Sequence, residues 1–189
     1  GKCVPMIVVM PNGNFGKQAA AGETAENLAF RPVSTHLLPH YKDGLFELAF
    51  PEIVNYVDAT FNTIPDKAHR AIAGLSMGGM HTLMITANYP DMFNYIGLYS
   101  AGVDFSHLNM EEVPAYANLD AKLTKLAQGN PKLYWIACGN EDWLLPANKR
   151  LMERMDKDGL KYTFHESPRG HLWSNWRQYS LLFIPQLFK

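Results

Sequence analysis

Between Arg70 and Tyr89 the chain passes from a short apolar run, Arg70-Ala71-Ile72-Ala73, through Gly74-Leu75-Ser76-Met77-Gly78-Gly79 into a stretch of helical character. A G-x-S-x-G pattern set between a strand and a helix constrains the fold more than any other feature of the sequence. A serine on such a tight turn is held in a strained backbone conformation, with its Oγ exposed above the sheet. Glycines at 74 and 78 are expected to leave room where a Cβ would collide with the neighbouring helix or strand. The bare pattern is common by chance; the strand before it and the helix after it make it specific.

The rest of the chain repeats that alternation. Strands are expected at about 6–10, 70–75, 95–100, 132–138 and 161–166, and helices at about 45–63, 77–88, 116–128, 146–157 and 173–187. Alternation of this kind implies an α/β fold with a mostly parallel sheet and helices on both faces. In the first helix Phe46, Phe50, Ile53, Val57 and Phe61 recur at three- and four-residue steps, which reads as a core stripe. Pro51 interrupts it, so a kink or a start near that residue is expected. Asn88-Tyr89-Pro90 stops the helix after the serine, and Asp158-Gly159 stops a later one.

Composition excludes several classes of partner. The 189 residues supply one domain with a sizeable core. Apolar residues make up 47% and charged residues 19%, the balance of a globular chain. A formal charge of −1 argues against nucleic acid or an anionic membrane surface. No apolar run reaches the roughly 18 residues of a membrane span. No His/Cys cluster has metal-ligand spacing, and no cofactor motif is present. Cys3 opens one expected strand and Cys138 ends another, at opposite ends of a parallel sheet, so two buried free thiols are expected rather than a disulfide.

A nucleophilic serine needs a base and an acid, which in this kind of fold follow it in the order Ser, Asp or Glu, His. Lys132–Cys138 reads as a buried strand ending in the polar turn Gly139-Asn140-Glu141-Asp142, 66 residues after Ser76 at its last position. Both Glu141 and Asp142 are candidates for the acid. Of seven histidines, His171 alone follows the last strand, behind a glycine, in a loop entering a helix. His165 lies within that strand, and His69 precedes the nucleophile strand at its far end. His81 reads as helix packing. His36, His40 and His107 have no comparable context. In these roles Ser76 attacks, His171 takes and returns the proton, and the acid fixes the imidazole tautomer. The backbone N–H of Met77 is one oxyanion donor. The chemistry is acyl transfer to water through an acyl-enzyme.

Ala71 to Gly79, then Cys138-Gly139-Asn140-Glu141-Asp142, then Gly170-His171-Leu172-Trp173-Ser174-Asn175-Trp176-Arg177, resemble the esterases of carbohydrate esterase family one. Val8-Val9-Met10-Pro11-Asn12-Gly13 resembles that family's strand and turn before a variable loop. The resemblance covers nearly the whole chain. It implies an α/β-hydrolase fold, esterase D and the mycolyltransferases as relatives, and Asp142 rather than Glu141 as the acid. It further implies a feruloyl or acetyl group on plant polysaccharide such as xylan as substrate. A secreted or periplasmic setting and a fused xylanase or carbohydrate-binding module would accompany that substrate. General short-chain ester or thioester hydrolysis, or a silent carbohydrate-binding role, are alternatives. The family usually has further strands before Met6–Met10 and a His-Gly-rich loop supplying a second oxyanion donor. Residues 1–189 are therefore expected to be a single esterase domain lacking its N-terminal third. Loss of one oxyanion donor costs roughly 10²–10³ in rate, so the isolated segment is expected to be weakly active or inactive.

Two irregular stretches leave strand ends on the side of the serine: Asn12 to Asp43 and Ala101 to Pro114. With Trp143, Leu144 and Trp173 they are expected to shape acyl and sugar subsites, because aromatic faces stack on a feruloyl ring or a pyranose. Trp176 reads as core, while Trp173 fits either role.

Overall fold

The computed structural model describes residues 2–11, 43–106 and 109–189. The segment from Asn12 to Lys42, with His36 and His40, lies outside the described residues, as does His107. Four parallel strands form one sheet in sequential order: β1 (Ala71–Leu75), β2 (Tyr95–Tyr99), β3 (Leu133–Gly139) and β4 (Thr163–Ser167). Helices α1 (Leu45–Thr60), α2 (Met77–Asn88), α3 (Leu119–Gln128), α4 (Leu145–Asp158) and α5 (Trp173–Phe183) alternate with them. Parallel strands need such crossovers, because a tight hairpin cannot bring the chain back in the same direction. The fold is of the α/β-hydrolase kind.

Period-two alternation in β2 sorts the core into two layers. Ile96 and Leu98 face a large cluster that includes Leu83 and Met84 of α2, Leu123 of α3, and Leu151 and Met155 of α4. Tyr95 and Tyr99 face the other way, onto Trp176, Tyr179 and Phe183 of α5. All five residues of β2 are buried, since it has a strand on each side and helices on both faces. Residues Gly79 to Ala87 of α2 are buried all round, which is why that helix shows no amphipathic stripe in the sequence.

The structure corrects several expectations. Met6–Met10 is not a strand: residues 4–11 have no regular secondary structure, and Ile7, Val8, Val9 and Met10 are exposed. Only Met6 packs on the α5 layer. β-branched residues favour extended backbone, but a strand exists only where a partner takes its hydrogen bonds. Helix α1 starts at Leu45 and runs through Pro51. The proline has no N–H to donate to the Glu47 carbonyl. Phe46, Phe50 and Ile53 join the core as expected, whereas Phe61 lies past the helix and is half exposed. Cys3 is exposed and only Cys138 is buried. Helix α3 begins later than expected, after Asn118 in a left-handed conformation.

Candidate active site

Ser76 joins the end of β1 to the first turn of α2 with φ 54° and ψ −118°. A left-handed φ at a residue with a Cβ costs of order 1–3 kcal/mol and persists only where its surroundings over-determine it. They do so here. The Ser76 N–H donates to the Tyr99 carbonyl at 2.9 Å, and the Ser76 carbonyl accepts from Gly102, Gly79 and Met80 at 2.7, 3.0 and 3.2 Å. Gly74 behaves as expected: a Cβ there would stand 2.0 Å from the Gly78 carbonyl oxygen. Gly78 does not, because a Cβ on it meets nothing within 4 Å. The second close approach belongs to Gly79, where a Cβ would lie 2.7 Å from the Ala101 Cβ. The tight contact is thus between α2 and the exit of β2, one residue later than the motif suggests.

His171 lies in the loop between β4 and α5. Its Nε2 is 2.9 Å from Ser76 Oγ, and its Nδ1 is 2.9 Å from Asp142 Oδ2. A carboxylate can only accept, so Nδ1 donates to Asp142 and Nε2 is left to accept from the serine hydroxyl. Asp142 has a side chain with no exposure, and its second oxygen, Oδ1, accepts from the Leu144 N–H at 3.0 Å. Glu141, the other candidate acid, points to solvent. Its backbone N–H instead donates to the Arg169 carbonyl, tying the acid turn to the histidine loop. The Met77 N–H opens α2, where no carbonyl four residues back lies inside the helix to receive it. It therefore sits at the positive end of the helix beside Ser76, suited to a developing oxyanion.

Several further residues support the site. Asn175 of α5 donates to the Pro168 and Gly170 carbonyls, both at 3.0 Å, and so fixes the loop that presents His171. Asn148 of α4 donates to the Ala101 carbonyl at 2.9 Å, holding the chain that presses on the elbow. Ser100, with φ 46°, turns the chain from β2 toward Ala101 and Gly102. Nothing in local sequence marks Asn148, because the Ala101 carbonyl it holds is distant in the chain, whereas Asn175 closes a loop only a few residues before it. Cys138, at the end of β3, has its thiol pushed up to about 12 by burial and by the Asp142 charge, so it stays neutral beside the acid.

The remaining histidines fall elsewhere. His81 is buried and its Nδ1 lies 2.7 Å from Glu47. His165 stacks on Trp135, and His69 pairs with Asp66 at the surface. Trp143 is 70% exposed and Trp173 58%, both within the aromatic group around His171; Leu144 is half-buried. Trp176 is buried, as expected of a core residue. The described part of the loop after β2 lines a cavity of about 270 Å³ with Val103 and Phe105 against Ala147, Arg150 and Leu151 of α4; neither Ser76 nor His171 borders it. Among the described residues no three His, Cys, Asp or Glu side chains are grouped to hold a metal ion.

Comparison with known proteins places the chain among esterases. The model of the Esterase family, described as "Putative esterase", matches residues 3–182. An endo-1,4-beta-xylanase/feruloyl esterase of Xylanibacter ruminicola is 36% identical over 102 residues, covering 54% of this chain and 12% of that protein. An acetyl esterase of Caldicellulosiruptor saccharolyticus is 27% identical over 157 residues, covering 68% of this chain and 58% of that protein. A solved ferulic acid esterase aligns with a TM-score of 0.59 at 25% identity, over 74% of this chain and 59% of that one. The chain thus spans less than two thirds of the length of each of these relatives.

Proposed function

This chain belongs to the Esterase family, and on that premise we propose that it is a serine carboxylic ester hydrolase that removes feruloyl or acetyl groups from plant cell-wall polysaccharide such as xylan. The observation that carries the chemistry is the unbroken relay from Ser76 Oγ to His171 Nε2 and from His171 Nδ1 to Asp142, each step 2.9 Å. Ser76 attacks the ester carbonyl while His171 takes its proton. The imidazolium so formed is balanced by Asp142, and the Met77 N–H receives the negative oxygen of the tetrahedral intermediate. His171 returns the proton to the departing sugar hydroxyl, leaving an acyl-Ser76. Water then enters by the same route in reverse and releases the acid. The chemistry calls on no cofactor.

The substrate class rests on two supports: relatives whose names include feruloyl esterase and ferulic acid esterase, and the exposed indoles of Trp143 and Trp173, with Leu144, beside His171. Indole faces stack on a feruloyl ring or a pyranose. A polymer substrate of this kind lies outside the cell, so we place the protein there or in the periplasm. Fusion to a xylanase would deliver it to the polysaccharide, as the name of the Xylanibacter relative describes for that protein. A second reading, hydrolysis of short-chain esters or thioesters in general, is favoured by the acetyl esterase similarity.

A fluorophosphonate probe on the full-length protein is expected to label Ser76 and to leave a Ser76→Ala variant unlabelled. Side-by-side assays of methyl ferulate, acetylated xylan and a short-chain thioester then separate the readings. Turnover confined to the thioester removes polysaccharide from the proposal, and absence of any adduct removes the enzyme.

A further inference from the structure

The hydrogen bonds of His171 run through its two nitrogens, one to Ser76 and one to Asp142. Bonds at two points on the rim of a planar ring fix its position but leave it free to rock about the line joining them. What stops that rocking has to press on the ring itself. The ring centroid of Trp143 lies 4.2 Å from that of His171, with 42° between the planes. Trp176 meets the same imidazole at 4.8 Å and 87°, and is braced in turn by Trp173 at 5.1 Å.

The two contacts differ in kind. Trp176 is buried in the α5 layer, so its presence is accounted for by packing. Trp143 is 70% exposed, so packing does not account for it. An indole left that open gains little from burial, and among the described residues its aromatic contact is with His171. It also belongs to the turn that holds the acid: Asp142 precedes it, and the Leu144 N–H after it donates to Asp142. One short turn therefore grips His171 by its edge through the carboxylate and by its ring through the indole.

Resting on the hydrolase reading above, we infer that Trp143 is a positioning residue for His171, acting on the base and not only on substrate. Its indole holds the imidazole in line with Ser76 Oγ. The π-electrons also favour the imidazolium that forms as the proton moves.

Truncating an exposed side chain leaves no buried cavity, so Trp143→Ala should fold normally and separate positioning from structure. The substrate for the test is 4-nitrophenyl acetate, whose acyl group is too small to need an aromatic platform. For Trp143→Ala in the full-length protein, kcat should fall about tenfold with KM little changed, a loss between that of an exposed cation–π contact and that of a misplaced catalytic group. The rate of fluorophosphonate labelling at Ser76 should fall by the same factor, and Trp143→Phe should restore most of both. The low-field proton resonance of the His171–Asp142 hydrogen bond should broaden or vanish in Trp143→Ala and persist in Trp143→Phe. Unchanged kcat and labelling, with KM raised only for methyl ferulate, would overturn the inference and leave Trp143 as a substrate platform. Loss of kcat matched by a fall in melting temperature, with the resonance intact, would overturn it in favour of a structural role. If the wild type neither labels nor turns over, the hydrolase reading fails by itself, and the resonance still decides whether Trp143 orders the imidazole.

Discussion

Two carboxylate–histidine pairs lie against the ends of α2's first turns, and they are alike in almost everything but use. In one, His171 meets Asp142 at 2.9 Å with side chains 9% and 0% exposed. In the other, His81 meets Glu47 at 2.7 Å with side chains 6% and 1% exposed. Burial and pairing therefore do not distinguish them. The difference lies at the second ring nitrogen. His171 Nε2 faces a hydroxyl on a strained turn, while His81 Nε2 is buried with no hydrogen-bond partner among the described residues, in a ring that packs edge-on with Phe46. The Tyr116 hydroxyl adds a bond to Glu47 at 3.2 Å, so that pair joins α1, α2 and the segment before α3. A polarised imidazole becomes a base only where the fold gives it a proton to take. Without one, the same pair is a clamp between helices.

Three experiments probe that contrast. The largest effect is expected for Asp142→Asn, which should lower kcat on the order of 10⁴-fold by favouring the wrong imidazole tautomer, while Glu141→Gln leaves it unchanged. A greater loss from the Glu141 change in steady-state assays would move the acid to the neighbouring residue. Next, Glu47→Leu leaves a buried imidazole without this hydrogen-bond partner and should cost about 1–3 kcal/mol in denaturant unfolding, with kcat of the folded molecules retained. Pairing it with His81→Phe should recover most of that stability. If Glu47→Leu instead suppresses kcat in a protein of wild-type stability, the two pairs are not functionally distinct. The smallest effect concerns Cys138. A thiol whose pKa is raised favours its neutral form below that value, and burial and Asp142 push this one to about 12. Alkylation at pH 8 should thus modify Cys3 alone in the native protein, read by mass spectrometry; fast labelling of Cys138 would mean the acid end of the site is open to reagent.

Much of the fold is legible along the chain because its signals are local. The serine motif, the helix stops at Asn88 and Gly159, and the apolar runs of β2 and β3 each depend on neighbours a few residues away. The resemblance to carbohydrate esterase family one, carried by three motifs, is met by the Esterase family and by a ferulic acid esterase structure. Expectations failed where the deciding partner was distant. Met6–Met10 has strand composition but no ladder, and Phe61 continues a periodic stripe past the end of its helix. Gly78 belongs to the motif, yet it is Gly79 that faces Ala101. The same reason hides Asn148, whose carbonyl partner Ala101 comes from the far side of β3 in the chain.

By itself the sequence determined that this chain folds as alternating strands and helices, with a serine on a strand-to-helix turn and acidic and histidine candidates at later strand ends. Periodicity, glycine and proline placement and motif order suffice for that, since each acts over a few residues. Only the tertiary structure decided which carboxylate, of two adjacent in the chain, turns inward to the imidazole and which faces water. It alone put Trp143 against the imidazole of His171. Those outcomes depend on directions of side chains brought together across the sheet, and a linear pattern carries no record of direction.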